Sequence, residues 1–280
     1  MSGDEQLELE ALDLPEPAPR DSHGPARVIA VANQKGGVGK TTSTVSLGAA
    51  LAEYGRRVLL LDFDPQGALS VALGIRTHDL DVTVYNLLTD STCTVTDVLV
   101  HTQVDGLDLL PSNIDLSAAE MQLVTEVGRE HALARALETI RADYDYVLID
   151  CQPSLGLLTV NALAAADSVL IPLECEFFAL RGVALLLDSI EKVRGRINPD
   201  LTIDGVLATM YDPRTVHSRE ILERLQERFG ATLFRTVITR TVKFPESTAG
   251  GEPITVYAPS SAGADMYRSL ARELVARVEA

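Results

Sequence analysis

The chain has only three cysteines, Cys93, Cys151 and Cys175, and no two are spaced as a Cys-x-x-Cys pair. That spacing excludes a disulfide framework and a thiolate metal or cluster site, and it reads as reduced, buried thiols of a cytoplasmic protein. No apolar run is long enough to span a bilayer. The opening residues are acidic and lack an apolar stretch, so a secretory leader is not expected. Positive charge is scarce as well: 24 Lys and Arg stand against 40 Asp and Glu, a formal net charge of −16. Attraction to nucleic acid by overall charge is thereby excluded, and any such contact has to come from a local basic patch. His23, His78, His101, His131 and His217 show no ligand spacing and receive no role.

Apolar residues are plentiful: 46% of the 280 residues are hydrophobic, enough for a sizeable core. Residues 1–25 hold Asp4, Glu5, Glu8, Glu10, Asp13, Glu16 and Asp21 against Arg20 alone, with Pro and Ala and no sustained period. They are expected to form a disordered acidic tail. Residues 26–280 are expected to be one domain. Apolar strands are predicted at Val28–Ala32, Val58–Phe63, Leu107–Leu110, Tyr146–Ile149, Ser168–Leu173, Ile203–Met210 and Leu233–Ile238. Helical patterns fall at 40–54, 116–126, 130–141, 156–166, 178–194, 216–229 and 261–279. Continuously apolar strands separated by helices indicate an α/β fold: a single doubly wound, mostly parallel sheet with helices on both faces. The less periodic segment 76–105 is placed as an insertion beside the site.

Between the first strand and the first long helix lies Gln34-Lys35-Gly36-Gly37-Val38-Gly39-Lys40-Thr41-Thr42. This is where a phosphate loop has to sit. Glycines let successive N–H groups turn inward around phosphate oxygens, and the helix N-terminus adds unpaired donors. Lys40 can reach the β- and γ-phosphates, and the Thr41 hydroxyl can ligate Mg²⁺. The general pattern wants glycine at position 34, where this chain has Gln34. Two further strands end in carboxylates: Asp62 and Asp64 in Leu61-Asp62-Phe63-Asp64-Pro65, and Asp150 after Tyr146–Ile149. A lone Asp after a strand is commonly a helix cap. Three acids on two strand ends beside a phosphate loop point instead to metal and water handling.

These stretches, with Ile149-Asp150-Cys151-Gln152-Pro153-Ser154-Leu155-Gly156, Thr209-Met210-Tyr211-Asp212 and Ser261-Ala262-Gly263-Ala264, resemble the ParA/MinD family of deviant Walker-A ATPases. The closer match is the ParA/Soj branch of chromosome and plasmid partitioning, and the likeness runs from about Val28 to the C-terminus. The resemblance implies a P-loop NTPase fold and the cofactors ATP and Mg²⁺. Lys35 would be the signature lysine that crosses a dimer interface to the partner's ATP, and Lys40 the lysine acting within its own subunit. Thr41, Asp62 and Asp150 would serve the metal, and Asp64 would position or activate water. ATP contacts would come from Lys35, Gly36, Gly37, Val38, Gly39, Lys40, Thr41 and Thr42, together with Met210, Arg240 and Thr241. Where many partitioning members have Ile-Pro-Arg-Asn, this chain has Ile238-Thr239-Arg240-Thr241, which leaves its adenine contacts open.

Family members of this branch bind DNA without sequence preference as ATP-bound homodimers and are stimulated by a ParB-like activator. Their intrinsic turnover is weak, and they associate with the nucleoid. Residues 210–243 carry an excess of basic side chains. Glu220–Arg224 has helical ion-pair spacing and Arg228 follows Glu223 and Glu227 closely in sequence, so Arg214, Arg219, Arg235, Arg240 and Lys243 are the better candidates for phosphate contact. One alternative is an orphan ParA-like regulator of replication or chromosome organisation. Another is a MinD-like membrane-cycling regulator, which needs a basic amphipathic tail helix. The mixed charge of Met266–Ala280 argues for no membrane contact.

Overall fold

In the structure, a computed structural model, residues 14–176 and 179–279 are described. Seven strands run β1 Arg27–Val31, β2 Val58–Phe63, β3 Val100–His101, β4 Leu107–Leu110, β5 Tyr146–Cys151, β6 Ser168–Glu174 and β7 Thr202–Thr209. They form one sheet in the order β3-β4-β2-β5-β1-β6-β7. Every pairing is parallel except β3 with β4. The C-terminal ends of β1, β2, β5, β6 and β7 therefore share one edge, where open α/β sheets hold their ligands.

The helices follow as α1 Lys40–Glu53, α2 Ala68–Ala72, α3 Val84–Thr89, α4 Val95–Val98, α5 Leu116–Leu123 and α6 Ala132–Glu138. They continue as α7 Leu157–Ala165, α8 Ala179–Arg196, α9 Val216–Phe229, α10 Lys243–Gly250, α11 Ile254–Tyr257 and α12 Ala262–Val278. Strand alternation divides the core in two. Leu59, Leu61 and Phe63 of β2 join Val147 and Ile149 of β5 under α6, α7, α8 and α9. Val58, Leu60 and Leu148 face the other way, against Leu47 and Leu51 of α1 and Leu270 and Leu274 of α12. Burial on both faces explains the unbroken apolar sequence of β2 and β5, every residue of which is buried. The α12 helix is thus seated on the body.

Three expectations differ from the structure. Leu233–Ile238 is not a strand: it touches β7 through one isolated bridge, Val206 to Leu233, and a second, Tyr211 to Thr239, joins the residues just beyond both segments. The reason lies at Gly205, where the Phe234 ring occupies the space of a side chain, so close that a Cβ there would fall 2.4 Å from it. Phe234 is packed into the core rather than alternating along a ladder. Segment 76–105 is no appendage beside the site. Val84, Leu87, Val95 and Val98 are buried in the same core as β2 and β5. Its helices α3 and α4 are started by capping boxes, Thr83 with Asn86 and Thr94 with Asp97.

The expected disordered tail, 1–25, differs over residues 14–25. Residues 1–13 lie outside the described residues. Residues 14–25 carry no helix or strand, yet they are tied to the body. The Asp145 carboxylate, just before β5, accepts from Arg20 Nη1 at 2.9 Å, Gly24 N at 3.2 Å and Arg57 N at 2.9 Å, and pairs with His23 Nδ1 at 2.7 Å. Arg56 Nη1 donates to the Ala18 carbonyl at 2.6 Å.

Candidate functional site

The loop between β1 and α1 is held from both sides. Asn33 Nδ2 donates to the Pro172 carbonyl of β6 at 2.7 Å, and Asn33 Oδ1 accepts from Lys35 N at 3.0 Å. Thr209 Oγ1, at the end of β7, donates to the Val38 carbonyl at 2.9 Å. Gly37 and Gly39 have φ of +78° and +85°, the left-handed region that only glycine enters cheaply. Gly39 is the N-cap of α1 and supplies no side-chain acceptor, so the first N–H groups of the helix remain open to an anion. Gly36 and Gly37 are exposed, Val38 is buried, and Thr42 is half-buried. Lys40 is buried and bends back over the loop, with Nζ 3.3 Å from the Lys35 carbonyl. Burial lowers its pKa, against the pull of Asp150. An ammonium held in that way gains strongly from an incoming phosphate.

The carboxylates gather at the same edge. Asp62 and Asp150 lie opposite one another in the β2–β5 register, and both are fully buried. Asp62 Oδ2 accepts from Ser70 N at 2.8 Å and Ser70 Oγ at 2.6 Å. Asp150 Oδ2 accepts from the Thr41 hydroxyl at 2.6 Å, while Oδ1 is buried without a partner. Burial pushes the Asp62 carboxyl up to about 6 despite its Ser70 bonds. Burial, and then the neighbouring Asp62, push Asp150 up to about 8. Asp64 lies half-buried just past the end of β2, its Oδ1 accepting from Gln66 N at 2.9 Å.

An orphaned carboxylate oxygen, a threonine hydroxyl and a raised pKa together fit a cation site, because a bound cation reverses that shift. Among the described residues no cluster of three or more His, Cys, Asp or Glu side chains could hold a metal unaided. Mg²⁺ takes few protein ligands and completes its shell with phosphate oxygens and water, so the paired Thr41 and Asp150 would suffice from the protein.

Beside the loop opens a cavity of about 1090 Å³ lined by Gly39, Thr42, Met210, Arg240, Thr241 and Phe244, among others. Its walls are mostly apolar, as a base subsite requires. Met210 has φ +52°, a strained backbone for a side chain that lines a pocket. All the residues expected from sequence to bind a nucleotide or metal meet at this edge. Ser70, which holds Asp62, and Glu174, which holds Lys35, were not expected. Ser70 lies eight residues from Asp62, across a turn, and Glu174 lies 139 residues from Lys35, so neither pair leaves a periodic pattern.

The basic candidates behave differently. Arg214 is clamped by Asp212 at 2.8 Å, Lys243 by Glu246 at 2.8 Å, and Arg240 reaches Glu174 at 3.3 Å. Arg219 and Arg235 are exposed, and no ion pair joins them to an acid among the described residues. The Glu–Arg pairs expected along α9 do not form, whereas Arg214 and Lys243, expected to be freer, are paired. Arg235 and Arg240 lie at opposite ends of the segment beside β7, so the candidates are strung along that margin.

A glycine loop opening a helix, a buried lysine within it and a Thr–Asp pair at the end of the adjacent strand define the site of a P-loop ATPase. Residues 26–203 match the family model described as an AAA domain. An uncharacterised protein of Mycobacterium tuberculosis is 66% identical over 94% of this chain and 83% of its own length. The sporulation initiation inhibitor protein Soj of Bacillus subtilis is 48% identical, over 89% of this chain and 98% of its own. A crystal structure of cobyrinic acid a,c-diamide synthase from Mycobacterium smegmatis, with bound ADP and magnesium, superposes with a TM-score of 0.78 at 46% identity. That match covers 88% of this chain and 92% of the other. The chain belongs to the ParA/MinD family of deviant Walker-A ATPases.

Proposed function

We propose that the protein is an ATP-dependent dimerising switch of the ParA/Soj type, which binds DNA without sequence preference and acts in chromosome partitioning. Its cofactors are ATP and Mg²⁺. Hydrolysis is slow alone and is stimulated by a ParB-like activator. The observation that carries this reading is the direction of Lys35. Lys40 folds over the phosphate loop, but Lys35 turns out of it, its amine 2.8 Å from Glu174 and 2.9 Å from Glu176. A lysine of the loop that faces away from its own site supports a role at another subunit's.

Within one subunit the open N–H groups of α1 and Lys40 would bind the phosphates. Thr41 and Asp150 would hold Mg²⁺, with Asp62 in support, and the ion would neutralise charge on the transferring phosphoryl group. Asp64, at the mouth of the site, would orient the attacking water and take up its proton. Met210, Thr241 and Arg240 would flank the base. Lys35 of one copy would complete the charge stabilisation in the other, which makes turnover depend on pairing. Arg219 and Arg235 are the strongest phosphate contacts for DNA, with Arg214 and Lys243 available once their acidic partners release them, and Arg240 through the guanidinium N–H groups that its Glu174 contact leaves free. The chromosome partitioning protein ParA of Caulobacter vibrioides, 48% identical over 91% of this chain and 96% of its own length, supports the partitioning role. The apolar side of α12 is packed on α1 in the core, which argues against a membrane-cycling role. Size-exclusion chromatography and DNA retention with ATP, ADP and no nucleotide, across a salt series, test the proposal. A chain that remains monomeric with ATP, or holds DNA equally in all three states, refutes it.

A further inference from the structure

Lys35 is gripped by two carboxylates of its own subunit, and they are not equivalent. Glu174 is the last residue of β6, an interior strand, and its side chain is 10% exposed. Its backbone is fixed by the register with Thr209 of β7, and the next residue donates Cys175 N to the Thr209 carbonyl at 3.1 Å. Two residues before it, the Pro172 carbonyl is bonded to Asn33, so the phosphate loop and the end of β6 form one rigid unit. Glu176 lies past the strand, with its side chain 51% exposed. The Glu174 carboxylate is also divided: Oε2 takes Lys35 and Oε1 takes Arg240 at 3.3 Å.

We propose that Glu174 is a positioning residue for Lys35. Within a single subunit it holds the Lys35 amine against its own body, and release of that grip is the step that lets Lys35 reach the nucleotide of a second copy. This rests on the dimer reading above. The grip is built to reopen. A buried carboxylate abandoned by its only cation would be costly, and Arg240 on the other oxygen keeps Glu174 compensated after Lys35 leaves. Lys35 is 38% exposed in this arrangement, so the contact is weak enough to exchange. The resting subunit thus carries a penalty against pairing, and ATP-dependent association has to overcome it.

Two measurements on the full chain separate this proposal from the reading beneath it. The sequence has four lysines, Lys35, Lys40, Lys192 and Lys243, so reductive ¹³C-methylation gives few NMR signals, assignable by Lys→Arg variants. Pairing with Glu174 and Glu176 raises the Lys35 pKa, so Glu174→Gln is expected to make its signal titrate at lower pH while Lys192 stays unmoved. In unmodified protein, sedimentation with ATP is expected to show Glu174→Gln dimerising about threefold to fivefold more tightly than the parent, the range of a partly exposed ion pair. Glu176→Gln is expected to act in the same direction but more weakly. A Glu174→Gln dimer no tighter than the parent's overturns the proposal, whether or not the Lys35 titration moves. So does an unmoved Lys35 titration, or a larger effect from Glu176→Gln. A parent that never pairs with ATP refutes the dimer reading itself and this step with it, although the titration still reports the grip.

Discussion

Asp150→Asn should stabilise the ligand-free protein while destroying its magnesium site. A carboxyl raised to about 8 in the folded state, against 3.8 when unfolded, binds its proton more tightly when folded. The unfolded chain gains from ionisation at neutral pH and the folded chain does not, so the parent loses stability as pH rises through that window. The full loss is reached above the folded value. At pH 7 the difference amounts to about 4 kcal/mol. Asp62 is raised by the same burial and its charge adds to the effect, so replacing Asp150 alone should recover about 2–4 kcal/mol. For a chain of this length that is a rise of roughly 3–7 °C in Tm. The assay is thermal unfolding of parent and variant between pH 5 and 8, with and without Mg²⁺ and ATP. The advantage of Asn should be greatest near pH 8, shrink towards pH 5, and disappear or reverse when Mg·ATP stabilises the parent alone. A variant no more stable than the parent at pH 8, or a gap independent of pH, refutes the electrostatic account of the Asp150 oxygen.

Lys40→Ala should weaken ATP binding by about 10- to 100-fold, the worth of charge-assisted phosphate contacts, read by titration calorimetry. Asp64→Ala should still bind ATP but lose about 10²- to 10⁴-fold in hydrolysis rate, measured as phosphate release; normal turnover would remove Asp64 from water handling. Arg219→Ala should lower the slope of log K against log salt for ATP-dependent DNA binding by about one, and an unchanged slope places the patch elsewhere. Gly205→Ala should cost about 1–3 kcal/mol in urea unfolding, because the new methyl meets the Phe234 ring.

The sheet and the phosphate loop were legible because their signals are local. Leu59–Leu61 is apolar without interruption, and glycines stand where the backbone turns left-handed. Leu233–Ile238 misled because β-branched residues in sequence look the same whether they pair along a ladder or, like Phe234, fill a hole beside a glycine. Residues 14–25 looked free because their order comes from the side chain of Asp145, more than a hundred residues away, which imposes no period on them. Helical spacing is the one pairing signal the sequence offers for the charges of 210–243, but Arg214 is taken by Asp212 in a turn and the spaced partners on α9 stay apart. Helices α3 and α4 are too short for a period to emerge.

Both margins of the sheet are closed to further strands. At one, β3 offers only two residues, paired antiparallel to β4. At the other, the irregular run 233–240 lies along β7 and covers it with bridges rather than a ladder. Short or shielded margins are how a sheet avoids recruiting another by its backbone. Under the proposed switch, copies would meet through loops at the nucleotide edge. The clock for their separation would then be hydrolysis itself, because no continuous backbone seam between subunits would have to be unzipped first.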